Sequence, residues 1–410
     1  MANNNKKQII FIFVSAAGFI LLCLLSSELS VRLSLWLSGR RSYVWLPDYY
    51  LGVAHAANSK FIHKEEFSNE FITKRKINSL GLVGEEISVE KPECTFRILV
   101  LGDSFTEGLQ VGEGKNYCER LQYLLNQNFS FPCKSFEVIN AGTSGFSPIA
   151  EYLFLKRELI KLKSDIIILQ IFANDVFEDN KIGAMSVIGK DGLPVKINRF
   201  FIKKYLSSPN PEYESSQFRN IIYRIEKFIL NRSVLFQCLD RAINRNYKNS
   251  RINREMIKLA EFNDDNQFFI IQEDNVLFRN DRFRSRALSN TERYILAIKN
   301  LAEDNSARFF MFYIPPEKQL KLSHYGSSGS YFKQKPNYFL NDKLRELSRK
   351  NNICYLDSLS ILEENKDEDL YFNKDGHLKE TGHALIVKAL FDSLNKFGLV
   401  NTTAKVIVKQ

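Results

Sequence analysis

Five short runs constrain this chain more than anything else in it: RILVL (97–101), FEVIN (136–140), DIIILQI (165–171), RFFMFYI (308–314) and ICYL (353–356). Each is mostly apolar, with β-branched or aromatic residues, as strands buried on both faces are. Helical patterns lie between them, near 115–127, 147–162, 289–305 and 340–350, and a last one follows at 380–396. The 289–305 pattern opens with a capping box, Ser289 and Glu292. Strands alternating with helices predict an α/β fold, a doubly wound parallel sheet in three layers. At 410 residues and 44% hydrophobic, the chain has ample material for a large core, and intrinsic disorder is excluded as the default.

Two regions stand outside the alternation. Residues 31–93 show no clear periodicity and read as a juxtamembrane segment. Residues 177–288 interrupt the pattern between the third and fourth strands and predict an insertion of helices and a hairpin, placed where it could cover a site. The body is then 94–400, with no internal repeat.

The N-terminus predicts a membrane anchor over residues 1–30. After Lys6 and Lys7, residues 9–27 carry no charge, and such a stretch at 1.5 Å per residue nearly crosses a hydrocarbon core of about 30 Å. A cleaved signal peptide is the rival. The small residues Ser15, Ala16 and Ala17 lie inside the apolar stretch, and Leu22 precedes Cys23 where a lipoprotein signal wants a small residue, so an uncleaved single span is expected. Cations flank it on both sides, Lys6 and Lys7 before and Arg32, Arg40 and Arg41 after, and the positive-inside rule does not choose an orientation.

Charge and cysteine usage narrow the partners. The net charge is +10, and residues 196–258 hold fourteen Lys or Arg against five Asp or Glu. Within that segment Phe218, Ile221, Ile222, Ile225, Phe228 and Ile229 recur at helical spacing. A helix covering the core with a solvated basic face is the expected reading; a surface resting on anionic headgroups or an acidic polymer is the alternative. Nucleic acid is not expected, since no recognition motif accompanies the charge. Six cysteines form no CxxC pair and no zinc spacing with the five histidines. Cys94 and Cys133 each precede a strand, and the first two strands of a doubly wound sheet are usually neighbours, so the two either pair or remain separate thiols.

The chemistry gathers where the strands end. The first is followed by Gly102, Asp103 and Ser104, the second by AGTSG, and the third by Phe172, Ala173, Asn174 and Asp175; the fifth leads to DGH at 375–377. In open α/β sheets the ligand crevice lies at those carboxyl ends. Singly, each stretch has a plain reading as a turn, a helix cap or a surface loop. Together they supply a serine nucleophile in Ser104, a base in His377 with Asp375 to hold its tautomer, and oxyanion donors in the N–H groups of Ser104 and Gly145 and the Asn174 amide. GLQVGEGKN lacks the first glycine and the Ser or Thr of a phosphate loop, and there is no HExxH. No metal or cofactor is expected.

LGDSFTEG, NAGTSG, FAND and DGH with GH at 382–383 resemble the conserved blocks of the SGNH/GDSL esterase and acyltransferase superfamily. The resemblance implies a flavodoxin-like fold and a Ser-His-Asp site in which Ser104 is the nucleophile, Gly145 and Asn174 oxyanion donors, His377 the base and Asp375 its acidic partner. INSLGLVGEE and TFRILVLGDSFTEGLQVGEG resemble a subgroup of membrane-anchored bacterial members tied to envelope polysaccharide. Two departures stand out: Phe172 replaces the glycine of Gly-x-Asn-Asp, and Lys374 holds the acid's place in Asp-x-x-His, leaving Asp375 two residues before His377. That spacing resembles the exopolysaccharide O-acetyltransferases of this fold. His383, inside the last helix, reads as structural. The expectation is therefore a membrane-anchored serine esterase acting on O-acyl groups, acetyl first, of a cell-envelope glycan or on a related small ester, its body extracytoplasmic, in a possible polysaccharide-biosynthesis complex. An O-acyltransferase and a catalytically inactive glycan-binding scaffold are the alternatives.

Overall fold

The structure, a computed structural model, describes residues 2–37, 44–65, 69–128, 135–197, 217–239, 281–322 and 338–400. It opens with helix α1 (Ala2–Leu37), whose stretch Phe11–Ser34 has a mean hydropathy of 2.1. Among the described residues this is the one helix long and apolar enough to cross a membrane.

Residues 44–93, which show no clear periodicity in the sequence, nonetheless carry regular structure. They hold β1 (Trp45–Asp48), β2 (Gly52–His55), β3 (Ser59–Lys64) and β4 (Ile72–Ile77), paired as two antiparallel hairpins. In β4 the inward residues are Thr73, Arg75 and Ile77. A buried threonine and a buried arginine hide the period-two apolar signal that would have announced the strand. Arg75 is accommodated by the Gly112 carbonyl at 2.9 Å and by Glu119 at 3.4 Å, and Thr73 donates to the Leu109 carbonyl at 2.5 Å. Val83 bridges Ile77 on one side and Asn140 on the other, so this module closes one edge of the main sheet.

The main sheet contains β5 (Thr95–Leu101), β6 (Ser135–Asn140) and β7 (Ile166–Ile171), followed after a small antiparallel hairpin, β8 (Ser186–Ile188) with β9 (Pro194–Ile197), by β10 (Arg308–Tyr313) and β11 (Cys354–Asp357). All five main strands run parallel in the order β6-β5-β7-β10-β11. Order reverses between β5 and β7, the switch point of a flavodoxin-like sheet.

Each strand feeds both faces with period two. Leu99 and Leu101, Ile167, Leu169 and Ile171, and Met311 and Tyr313 point one way; Ile98 and Val100, Ile166 and Ile168, and Phe310 and Phe312 point the other. The second face is covered by α2 (Ser104–Glu107), α3 (Tyr117–Asn128) and later helices, the first by α4 (Pro148–Phe154), which runs on through a π turn at Leu155–Leu159 and a 3-10 turn at Ile160–Leu162. Helix α5 (Asp175–Met185) joins that first layer. Beyond it α6 (Gln217–Arg232) bonds through Asn220 and Tyr223 to Arg157 and Glu158 of the π turn.

Helix α7 (Asp281–Asp304) starts eight residues before Ser289, so Ser289 and Glu292 lie inside the helix and the capping box does not form there. A four-residue pattern cannot see that helical residues precede it. The order ends with α8 (Glu317–Leu322), α9 (Phe339–Lys350), α10 (Leu359–Glu364) and α11 (Glu380–Lys396).

Part of the described insertion packs on the N-terminal hairpins. Ile197 donates its N–H to Tyr50 at 2.7 Å, Tyr223 donates to Asp48 at 2.9 Å, and Asn231 accepts from the Ala57 N–H at 2.8 Å, all against the N-terminal hairpins. Cys133 lies outside the described residues; Cys94 is exposed, and its carbonyl accepts the Ser135 N–H at 3.1 Å as β5 and β6 begin to pair.

Candidate active site

Ser104 is the first residue of α2, at the carboxyl end of β5. The cap of that helix is its neighbour: Asp103 Oδ1 accepts the Phe105 N–H at 2.9 Å. The Ser104 hydroxyl is thereby left to another partner, and it stands 2.7 Å from Nε2 of His377. On the other side of the ring, Nδ1 of His377 is 2.6 Å from Asp375 Oδ1. A carboxylate accepts only, so Nδ1 carries the proton and Nε2 accepts from the serine.

Three carboxyl-end loops meet here because their strands are neighbours. Asn174 precedes α5 after β7, and Gly145 lies in the loop after β6 on the opposite side of β5. Gly145 takes φ +72°, a left-handed conformation that favours glycine. Gly142 is required by contact: a Cβ there would stand 2.2 Å from the Glu107 backbone nitrogen. Asn174 Oδ1 is buried and without a hydrogen-bond partner among the described residues.

The loop carrying His377 is shaped from both ends. Phe372 donates to the His377 carbonyl at 2.8 Å, and Gly376 turns the chain at φ +81°. Glu70, from the N-terminal module, accepts the N–H groups of Lys374 and Asp375, each at 3.0 Å. Lys374 itself is exposed, so the place of the missing acid is solvent and Asp375 makes the contact to His377. The phenylalanine at 172 stacks on Phe105 at 4.2 Å between ring centroids, and Phe105 in turn lies 4.8 Å from the His377 ring. The bulk that replaces the glycine thus packs on Phe105, which itself meets the histidine ring.

Electrostatics set the protonation states. Burial alone would lower the His377 pKa, but the hydrogen bond and charge of Asp375, with the negative fields of Asp103 and Glu107, outweigh it and raise the value. Asp103 is pushed up to about 6 by burial. His383 is pushed down to about 3 by burial; its Nδ1 accepts the Tyr117 N–H at 3.3 Å, a structural role as expected.

Glu107 was invisible as a site residue, since a glutamate closing a short helix reads as surface. It is 1% exposed. His55 Nε2 lies 2.5 Å from Oε1, Trp45 Nε1 donates to the same oxygen at 2.9 Å, and the Ser144 hydroxyl donates to Oε2. Burial would raise the Glu107 pKa, yet the His55 hydrogen bond and charge, with Ser144 and Trp45, hold it below its ordinary value. One carboxylate therefore ties the β1–β2 hairpin to the helix of Ser104 and to the residue before Gly145. Only a fold that brings positions 45, 55 and 144 together reveals it.

Chemically, the set provides an activated hydroxyl, a base with an oriented tautomer, and backbone and amide groups on the neighbouring loops. A cavity of about 1190 Å³ lined by His55, Thr143, Arg157 and Tyr223 lies apart from it, since neither Ser104, His377 nor Asn174 lines that space. Among the described residues no cluster of three or more His, Cys, Asp or Glu is arranged to hold a metal ion.

No protein-family model matches the chain, and no curated protein matches it. Solved structures similar to it include TesA (11% identity, TM-score 0.37, 73% of this chain and 98% of that chain), the acetylxylan esterase Axe2 from Geobacillus stearothermophilus (12%, 0.36, 73% and 94%) and the psychrotrophic esterase EstA from Pseudoalteromonas sp. (14%, 0.36, 74% and 99%). At these scores the likeness carries no argument about chemistry, which rests on the chain's own geometry.

Proposed function

We propose that the protein is a serine-dependent ester hydrolase of the SGNH type, acting on O-acyl groups of a cell-envelope glycan. The observation that carries this reading is the hydrogen-bonded series Ser104 Oγ, His377 Nε2, His377 Nδ1, Asp375 Oδ1, with links of 2.7 and 2.6 Å, at the switch point of a parallel sheet. A neutral serine hydroxyl is a weak nucleophile near pH 7, and an imidazole accepting its proton removes that limit.

In the proposed reaction Ser104 Oγ attacks the ester carbonyl as its proton passes to His377 Nε2. The oxyanion receives hydrogen bonds from the N–H groups of Ser104 and Gly145 and from the Asn174 amide. Collapse expels the alcohol, which takes the proton from His377, and leaves Ser104 acylated. Water, deprotonated by His377, then releases the acid. A sugar hydroxyl in place of that water would give the acyltransferase outcome from the same acyl-enzyme.

The glycan reading is supported by the sequence blocks alone, and the extracytoplasmic placement is proposed because envelope glycans lie on that side of the membrane. A fluorophosphonate probe is expected to add its mass to Ser104, and the purified protein to hydrolyse an activated acetyl ester. A chain that takes up no probe and turns over no ester refutes the reading and favours a binding scaffold. Reporter fusions after residue 45 are expected to be exported; cytoplasmic reporter activity would reverse the orientation.

A further inference from the structure

Helix α6 is amphipathic in the opposite sense to a core-covering helix. Its polar residues at 220, 223, 227 and 231 face the body: Asn220 Oδ1 accepts from Arg157 at 2.6 Å, the Tyr223 hydroxyl lies 2.9 Å from Asp48 and 3.0 Å from Glu158, Lys227 lies 3.2 Å from Glu158, and Asn231 accepts from Ala57. Its apolar residues look outward. Phe218, Ile221, Ile225 and Phe228 are 65, 57, 54 and 57% exposed, and Phe236 and Leu239 continue the patch at 43 and 49%. The expectation of a core-covering apolar face therefore fails for Phe218, Ile221, Ile225 and Phe228, while Ile222 and Ile229 are half-buried. An outward apolar row of this size on one helix is an interaction surface rather than scattered exposure.

What covers it is indicated by α1. Glu28, just past the uncharged stretch 9–27, accepts the Ser233 hydroxyl at 2.7 Å and the N–H groups of Val234 and Leu235, each at 2.9 Å. Arg32, one turn on, donates to the Arg232 carbonyl at 2.6 Å and pairs with Glu28 at 2.7 Å. These bonds hold the end of α6 against α1 at the point where a spanning helix leaves the hydrocarbon. Cations border the apolar row: Arg224 and Arg232 are exposed, and the Arg232 guanidinium sits 3.9 Å over the Phe228 ring. Aromatic and aliphatic side chains rimmed by arginine suit the boundary between acyl chains and anionic headgroups.

We propose that α6 lies in the membrane interface, with Phe218, Ile221, Ile225 and Phe228 inserted beside the α1 span and Arg224 and Arg232 at the phosphate level. This rests on α1 crossing the bilayer. Because the opposite face of α6 is bonded to the β1–β2 hairpin, which holds Glu107, the contact also sets how the face bearing Ser104 stands relative to the membrane.

The test uses the full-length chain in vesicles of phosphatidylcholine and phosphatidylglycerol, with Ile225→Trp or Phe228→Trp and, as control, Tyr123→Trp. Tyr123 is 65% exposed on α3, in the helical layer across the sheet from α4. Difference emission against the parent chain is read with ordinary and with brominated acyl chains. The expected result is blue-shifted added emission at 225 and 228 that brominated lipid removes, while the emission at 123 stays red-shifted and unquenched. If the parent resists alkaline extraction from membranes yet the probes at 225 and 228 behave like the one at 123, the interfacial helix is wrong and the anchor stands. Blue-shifted emission that brominated lipid leaves intact means that protein covers the row, and also overturns the proposal. Release of the parent chain by alkali overturns both the anchor and the inference.

Discussion

At Ser104 a hydroxyl has two possible tasks, capping α2 or attacking a carbonyl, and its neighbour already takes the first. Asp103 already accepts the Phe105 N–H, so Asp103→Ala is expected to cost about 1 kcal/mol of stability as a lost cap, read by denaturant unfolding. Ser104→Ala should leave the melting temperature nearly unchanged and lower ester turnover by about 10⁴-fold or more. His377→Ala should do the same, and the double variant should be no worse than either, because members of one interdependent site are not additive. Asn174→Ala is expected to remove about 2.7 to 4 kcal/mol of transition-state stabilisation. The pH profile tests Asp375 separately. Its hydrogen bond and charge raise the His377 pKa, and the base must be neutral to act, so the acid limb of kcat/KM lies above the ordinary histidine value of about 6.5. Asp375→Asn should move that limb to lower pH as well as reduce the plateau; an unmoved limb assigns the titration to another group.

At the scale of elements, the N-terminal hairpins are braced against the active-site loops. Glu107 accepts from His55 and Trp45 on the hairpin and from Ser144 beside Gly145. Truncating one partner of a buried pair strands the other, so Glu107→Leu is expected to cost about 3 to 5 kcal/mol. His55→Leu in the same chain should restore part of that loss, which a double-mutant cycle measures. Strict additivity would mean that the two do not interact. Because the folded Glu107 pKa is depressed, its contribution is present above the ordinary glutamate value and disappears as pH falls through the folded one. Glu70 acts on the other loop. Glu70→Ala removes the acceptor of the Lys374 and Asp375 N–H groups, and a shift of that loop by about 1 Å can cost up to about 10²-fold in rate. The expected result is lowered kcat with native far-UV circular dichroism.

Across the whole molecule, Asp103, Glu151, Asp175 and Asp179 are buried carboxyls that feel one another's charge. Burial pushes Asp179 up to about 7 and Asp103 up to about 6, and pushes Glu151 and Asp175 well above their ordinary values, with mutual repulsion adding to it. The Glu151 carboxyl has no hydrogen-bond partner among the described residues. An acid whose folded pKa exceeds its unfolded one favours the fold while protonated. Its contribution is present below the unfolded value near about 4 and is lost as pH rises through the folded value. His377, also raised, contributes in the same direction. His383 and His63, kept neutral by burial, oppose this up to the unfolded histidine value of about 6.5, so the melting temperature is expected to fall between about pH 6.5 and pH 8, and Glu151→Gln to flatten that slope and raise the value at the alkaline end. An unchanged slope in Glu151→Gln would assign the pH dependence elsewhere.

Five strands, their flanking helices and the loop positions of Ser104, Asn174 and His377 were legible in the sequence because each depends on local information. A strand buried on both faces must be apolar throughout, and a chain that leaves it abruptly must use Gly, Asp, Ser or Asn. The four strands of residues 44–77 were not legible, since Thr73 and Arg75 occupy inward positions and find partners at Leu109, Gly112 and Glu119. Nor were the roles of Glu70 and Glu107, which depend on hydrogen bonds spanning dozens to hundreds of residues along the chain. Helix α6 shows the limit most clearly. Its periodicity fixes that one face is apolar, but whether that face turns inward or outward depends on what its polar face meets. Asp48, Ala57, Arg157 and Glu158, distant in sequence, offer hydrogen bonds that a core cannot. Periodicity is a property of the segment, whereas orientation is a property of its surroundings, and only the tertiary structure contains those.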